Sequence, residues 1–504
     1  MDKKNLLALI VLFASIKVLA QPSIEWQKSL GGTDFDLVES IKQTTDGGYI
    51  LCGSSSSSDG DVISNHGQRD SWVVKITSSG EIDWQNAIGG TGLDTSNSIE
   101  QTIDEGYIVA GSSQSNDGDV TGNHGNHDFW VVKFSSTGVI NWQKSIGGSG
   151  NDIANSVKQT VDGGYIVCGR SQSSNGDVTV NHGGYDFWMV KLTDSGVIEW
   201  QKSLGGSNDD IATSIGLTND GGYIITGYSY SHNGDVTNQH GESDYWVVKI
   251  TNMGNIEWQK SLGGSDSDFA SDIKQTTDGG YIIAGYSLST DGDITNSSNG
   301  SIWVVKLSQI GIIEWQKSIG GIGASAFSIQ QTDDYGFIVA GKNYMIDGSV
   351  LTDNIDALIV KLSETGSIEW QKPLGGTQED VASSIQQTND NGYVVAIRSA
   401  SSDGDVLGNH GFEDYWVVKL SSSLGINDFS NANFILHPNP TTGILNITSK
   451  FPISKIKIFD NIGHTVKLDF NNSIIDISKL KLGIYFMTIE DIYGNFETKK
   501  IIKI

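Results

Sequence analysis

Short apolar runs alternate along the chain with glycine- and aspartate-rich turns, and the alternation repeats. Trp26, Trp84, Trp142, Trp200, Trp258, Trp315 and Trp370 each stand in an Ile-x-Trp-Gln context, at spacings of 58, 58, 58, 58, 57 and 55 residues. A period of that length, made of short strand-like runs, indicates a propeller or a solenoid. One unit reads from Asp152 to Gly206. Ser156 to Thr160 predicts a first strand, and Asp162-Gly163-Gly164 a hairpin turn in which glycine supplies positive φ. Tyr165 to Gly169 predicts the second strand, and a long polar loop follows. Phe187 to Leu192 is the third strand, Ser195-Gly196 the next turn, and Ile198 to Leu204 the fourth. Four antiparallel strands per unit is the make-up of a propeller blade.

The chain opens on a fourth strand, Ile24 to Leu30, and the repeats end on a third, Tyr415 to Leu420. The first residues therefore supply the strand the last unit lacks. A linear solenoid would leave two open edges needing caps, and no capping sequence is visible. The expectation is an all-β protein, with residues 21–425 forming a seven-bladed β-propeller closed by its N-terminal strand. The units are similar to a bacterial β-propeller repeat family. Gly147-Gly148-Ser149-Gly150-Asn151-Asp152, Asp162-Gly163-Gly164-Tyr165 and Asp186 through Leu192 carry the resemblance, with departures such as Ser301 for Asp and Phe337 for Tyr. It implies a propeller on secreted or surface proteins, and no defined reaction or ligand.

The two ends differ from the middle. Lys3, Lys4, the apolar run Leu6 to Ile16, and Val18 and Ala20 predict a signal peptide over 1–20. That run is too short for a membrane span, Lys17 interrupts it, and no other stretch is long enough. The whole chain has 59 acidic and 32 basic side chains, a formal charge of −27. Such a balance argues against nucleic acid and anionic membranes as partners. Residues 431–504, however, hold nine Lys against six Asp and Glu, so the tail is a separate unit. After a linker at 426–432, residues 433–504 resemble the C-terminal sorting domain of the type IX secretion system. The matching motifs are Leu436-His437-Pro438-Asn439-Pro440, Ile458-Phe459-Asp460-Asn461-Ile462-Gly463, Leu482-Gly483-Ile484-Tyr485 and the terminal Lys499-Lys500-Ile501. The resemblance implies a small β-sandwich, read by the export machinery, on a protein bound for the cell surface or the medium. Alternation of Ile456 and Ile458 with Lys455 and Lys457 agrees with a half-buried strand.

Candidate chemistry lies on the face with the long loops, since binding residues collect on loops held by a rigid scaffold. Asp59, Asp61, Asp117, Asp119, Asp177, Asp235, Asp293 and Asp405 recur there as Asp-Gly-Asp and related patterns, with Asn-His-Gly following in most units. Hard oxygen ligands suit Ca²⁺, but the ligand run of a calcium loop is incomplete, and turn capping accounts for the same residues. No cofactor is required. The repeated Trp and the Asp before each first strand read as packing and caps. Residues that break the repeat are better ligand candidates: Tyr228, Tyr230 and Tyr286, then Lys342, Asn343 and Tyr344. Cys52 and Cys168 occupy positions held elsewhere by Ala, and so predict buried, unpaired thiols. No hydrolase, metalloprotease or phosphate-loop motif is present. The reading is a secreted, monomeric binding or adhesion protein for polysaccharide or a surface protein, and not an enzyme. A polysaccharide hydrolase or lyase, or a purely structural surface component, are the alternatives.

Overall fold

A computed structural model describes residues 21–295, 300–347, 350–422, 434–449, 452–460, 465–466, 470–471, 474–491 and 496–504. The signal peptide over 1–20, the linker over 426–432, Asn299 and the Asn461-Ile462-Gly463 part of the tail motif lie outside these residues. The chain divides into two compact units, Met1–Leu424 and Gly425–Ile504.

Among the described residues there is no helix, and so none long and apolar enough to cross a membrane. The first unit holds seven four-stranded antiparallel sheets, none of which closes on itself. The first sheet runs Asp36–Gln43, Tyr49–Ser55, Asp70–Ile76, Ile82–Ile88, and the next five follow the same order. The seventh combines Asp380–Gln387, Tyr393–Ser399 and Asp414–Leu420 with Ile24–Leu30, paired from Ile24 with Leu420 to Leu30 with Tyr415. Successive sheets bond through their first strands. The amide of Val157 donates to Ser98 Oγ at 3.2 Å, and the Asn97 side-chain amide to the Ala154 carbonyl at 2.7 Å. The first and seventh sheets meet in the same way: Ile41 N–H donates to Ser384 Oγ at 3.3 Å, and Asn389 N–H to Gln43 Oε1 at 3.0 Å. The arrangement is propeller-like.

Burial grades outward and explains the repeat. The third strands are buried along their whole length in the first five sheets and the seventh. Their tryptophans pack between sheets, Trp188 on Phe129 at 4.6 Å and Trp246 on Phe187 at 4.5 Å between centroids. Each indole N–H needs an acceptor once buried. The Gln of the Ile-x-Trp-Gln motif provides it, Gln201 Oε1 for Trp188 at 2.8 Å. The motif's own Trp leans on the next sheet. A Cβ on Gly80, where φ is +83°, would sit 3.0 Å from the Trp26 ring, so the turn there demands glycine twice over. A buried Lys ends each third strand and reaches back to the Asp of the first hairpin turn, as Lys191 does to Asp162 at 3.0 Å. The Thr160 hydroxyl and then, against the opposing effect of burial, Lys191 and the Gly164 amide hold Asp162 down at about 2. The two cysteines are buried free thiols, and burial pushes both up.

The sixth sheet departs from this plan. Its second and third strands, Phe337–Asp347 and Val350–Leu362, extend into a long hairpin where the other sheets carry a loop.

The second unit is a small sandwich of two four-stranded sheets. Leu445, Ile447 and Ile475 from one sheet and Ile458, Met487, Ile489 and Ile501 from the other share one core. The His-Pro-Asn-Pro motif and the chain end meet in space. Asn439 Oδ1 accepts from Ile502 N–H at 2.9 Å, and Ile504 N–H donates to the Thr441 carbonyl at 3.0 Å.

Candidate binding face

The loops between second and third strands lie against the Gly-Gly connections that lead into each first strand. Side-chain oxygens, mostly carboxylate, organise these contacts. In the first sheet, Asp36 Oδ2 accepts from Gly32 N–H at 2.7 Å and from Ser57 Oγ at 2.9 Å. Asp59 Oδ1 accepts from Thr33 N–H at 2.8 Å, and Asp61 Oδ2 from Gly31 N–H at 3.2 Å. Across the junction, Asp414 Oδ2 accepts from the backbone and the Nδ1 of His410, at 2.8 and 2.7 Å. A Cβ on Gly31 would lie 2.6 Å from both Asp36 Oδ2 and Asp414 Oδ1, so only glycine fits between them. Burial, offset in part by Ser55, Gly32 and Ser57, pushes Asp36 up to about 6.

These contacts place every calcium candidate. Asp117 Oδ1 caps Thr91 N–H at 2.8 Å, while Asp119, Asp177, Asp235 and Asp293 each accept from the first glycine of their Gly-Gly pair at 3.1 to 3.3 Å. Asp405 holds Gly375 through its own backbone N–H at 2.8 Å. Among the described residues no three His, Cys, Asp or Glu side chains are grouped to hold a metal ion. His66, His124, His182, His240 and His410 are partners of buried carboxylates rather than of one another.

The aromatic candidates divide. Tyr228 and Tyr230 form one cluster with Phe269: Tyr228 meets Phe269 edge-on at 4.8 Å and Tyr230 at 6.1 Å, and Phe269 stacks on Tyr286 at 6.2 Å. All four rings are partly exposed. Tyr228 and Tyr230 border a recess of about 460 Å³ whose polar wall is Ser207, Asn208 and Asp209. Burial pushes the Tyr228 hydroxyl up, with Arg170 opposing. Tyr344 stands within electrostatic reach of Tyr286 and lies over Gly323. Lys342 pairs instead with Glu379 at 3.4 Å, and Asn343 sits beside Gly320. The structure thus joins four of the six candidates, leaves Asn343 on the connection that leads into its own sheet, and draws Lys342 to the next one.

Sequence reasoning missed Phe269, which ties the tyrosines together. Its signal was present, since the same place in other units holds Leu37, Thr95, Ile153 and Ile211. Two further pairs stand on this face. The Arg170 guanidinium lies 5.3 Å over the Tyr185 ring, and Phe35 stacks on Phe412 at 5.0 Å. Each pair spans a distance in sequence that no local pattern reveals.

Residues 435–504 match the family model of the secretion system C-terminal sorting domain. The tail is therefore a sorting domain, and it indicates export by the type IX system, across the outer membrane to the cell surface or the extracellular space. No curated protein matches the chain in sequence. Among solved structures, Sqt1 from Chaetomium thermophilum is similar at 11% identity and a TM-score of 0.41, over 84% of this chain and 97% of that one. BamB from Moraxella catarrhalis is similar at 13% identity and 0.38, over 79% and 99%. YCF48 bound to D1 peptide is similar at 9% identity and 0.42, over 81% and 99%.

Proposed function

We propose that the seven sheets are the blades of one closed propeller, and that the exported protein binds carbohydrate on its long-loop face. The pairing of Ile24–Leu30 with Asp414–Leu420 supports closure. The observation that carries the binding reading is the cluster of Tyr228, Tyr230, Phe269 and Tyr286 beside Asn208 and Asp209. Aromatic faces take the apolar face of a sugar ring, and amide and carboxylate groups take its hydroxyls. The cluster breaks the sevenfold repeat, as a site for one ligand must, whereas scaffold residues obey it. The role is adhesion rather than catalysis, and Ca²⁺ is not needed for it.

The test is binding of the full secreted chain to immobilised polysaccharides, in Ca²⁺ and then in EDTA. Saturable binding in both is expected. Tyr228→Ala with Tyr230→Ala should weaken it roughly tenfold or more, each stacked ring being worth about 1 kcal/mol beyond its area. Unchanged binding in that variant rejects the site, and loss in EDTA returns the Asp-rich loops to consideration. Release of new reducing ends from the polysaccharide would favour a hydrolase instead.

A further inference from the structure

The first strands of all seven sheets surround a cavity of about 110 Å³, and its lining is made of hydroxyl, amide and charged groups with one aromatic ring, Phe327. It lies apart from the tyrosine cluster. Every first strand runs from the loop face to the short hairpin turns, and the lysines concerned, Lys42, Lys158 and Lys274, stand near its far end. They come from the first, third and fifth sheets, so they converge from around the cavity rather than along one strand. Other first strands carry Glu100, Gly216, Gln330 and Gln386 at this level.

Their partners do not balance them. Lys158 bonds Glu100. Lys274 bonds Asp272 at 2.5 Å. Lys42 comes no nearer to a carboxylate than 3.9 Å, and that carboxylate is again Glu100. Glu39, the other acid of the lining, is engaged by Arg398 at 3.1 Å. Two carboxylates therefore serve three ammoniums, each with three donors to satisfy. The ammonium side chains are only 19 to 30% exposed. Desolvation, and then the ammoniums of Lys42 and Lys274, push Lys158 well below the ordinary lysine range. An excess positive charge in a half-enclosed cavity is the reverse of this protein's overall balance of −27.

We propose that Lys42, Lys158 and Lys274 form a binding site for a small tetrahedral oxyanion, a sulfate or phosphate group, either free or as the ester on a sugar. Three oxygens of one such group match three converging ammoniums, and charged hydrogen bonds of this kind are the strong ones. The cavity volume suits one such group and not a whole saccharide. The bound anion favours the charged form of Lys158, so binding takes up protons and tightens as pH falls.

The test is calorimetric titration of the full chain, at constant ionic strength, with inorganic sulfate, inorganic phosphate and galactose 6-sulfate. Saturable binding is expected, weakened roughly tenfold or more in Lys42→Met with Lys158→Met, since a hydrogen bond to a charged group is worth about 1.5–3 kcal/mol. Glu100→Gln frees both ammoniums and should tighten binding several-fold, a gain that misfolding cannot imitate. Binding of the ester alone assigns the source to a sulfated sugar, and binding of the free ions alone to solute anions; both sustain the site. Absence of saturable binding by the native chain, or affinity unmoved by both variants, overturns it.

Discussion

Six of the seven junctions between sheets are built around facing carboxylates, and one is not. At the six, the Asp opening a third strand and the Asp opening the next first strand flank one glycine, as Asp128 and Asp152 flank Gly147. At the fifth-to-sixth junction Ser301 and Ala324 replace both, and a Cβ on the corresponding Gly320 would meet the Ala324 side chain at 2.7 Å rather than a carboxylate. A Cβ on the neighbouring Gly321 would meet nothing within 4 Å. The histidine disappears with them, because the loop there reads Asn-Gly before Ser301. Sheet six is the intermediate case. Its hairpin offers no histidine, Asp356 remains, and burial followed by Asp380 and Asp405 pushes it up to about 6. The lesson is that a buried carboxylate here depends on the loop that wraps it. Burial pushes all of these carboxyls up; the loop's amide and imidazole offset that push at Asp186 and its counterparts, and where they are missing the carboxylate is lost or, as at Asp356, meets burial with no such offset.

The largest effect is expected from Ser301→Asp. A carboxylate at a position 1% exposed, with no histidine beside it, should cost roughly 3 kcal/mol at neutral pH in chemical denaturation. A cost below half that would show that the loop is not what permits the charge. Next come two glycines at equivalent places. A Cβ on Gly90 would fall 2.5 Å from the Asp117 carbonyl, so Gly90→Ala should cost about 1–3 kcal/mol. Gly321→Ala should stay within about 0.5 kcal/mol. Equal effects would remove the distinction between the junctions. His182→Ala withdraws the Nδ1 bond to Asp186 at 2.7 Å but leaves the backbone amide at 2.9 Å. A loss of about 1 kcal/mol is expected, with Asp186 titrating still higher. An NMR titration showing Asp186 unmoved would contradict it.

The smallest effect is on pH dependence, and its sign follows from two opposed sets of Asp. Asp36, Asp210 and Asp356 are raised to about 6 by burial, so their folded forms hold protons more tightly than the unfolded chain. Their penalty is full above pH 6 and is relieved as pH falls toward 4. The turn residues Asp46, Asp162, Asp220 and Asp278 are lowered to about 2, so their stabilisation persists to pH 4 and is lost between 4 and 2. The melting temperature should therefore peak between pH 4 and 5. A peak at pH 7 or above would mean that the junction carboxylates stay ionised without cost.

The local grammar of this protein is written in its sequence. The period near 58 residues, the four strands per unit, the Asp-Gly-Gly turns and the separate basic tail are all local, because strand alternation and turn chemistry act within a few residues. The pairing of the first strand with the last repeat was also legible, since a missing element at one end matched a surplus at the other. Tertiary structure alone decided which side chains meet across junctions. Phe269 joins Tyr228, and Phe35 joins Phe412 from 377 positions away, through packing that no window of sequence contains. Lys42, Lys158 and Lys274 look like ordinary strand-end residues in three separate repeats. Only the arrangement of seven first strands around one cavity turns them into neighbours, because charge at a distance in sequence acts through proximity in space.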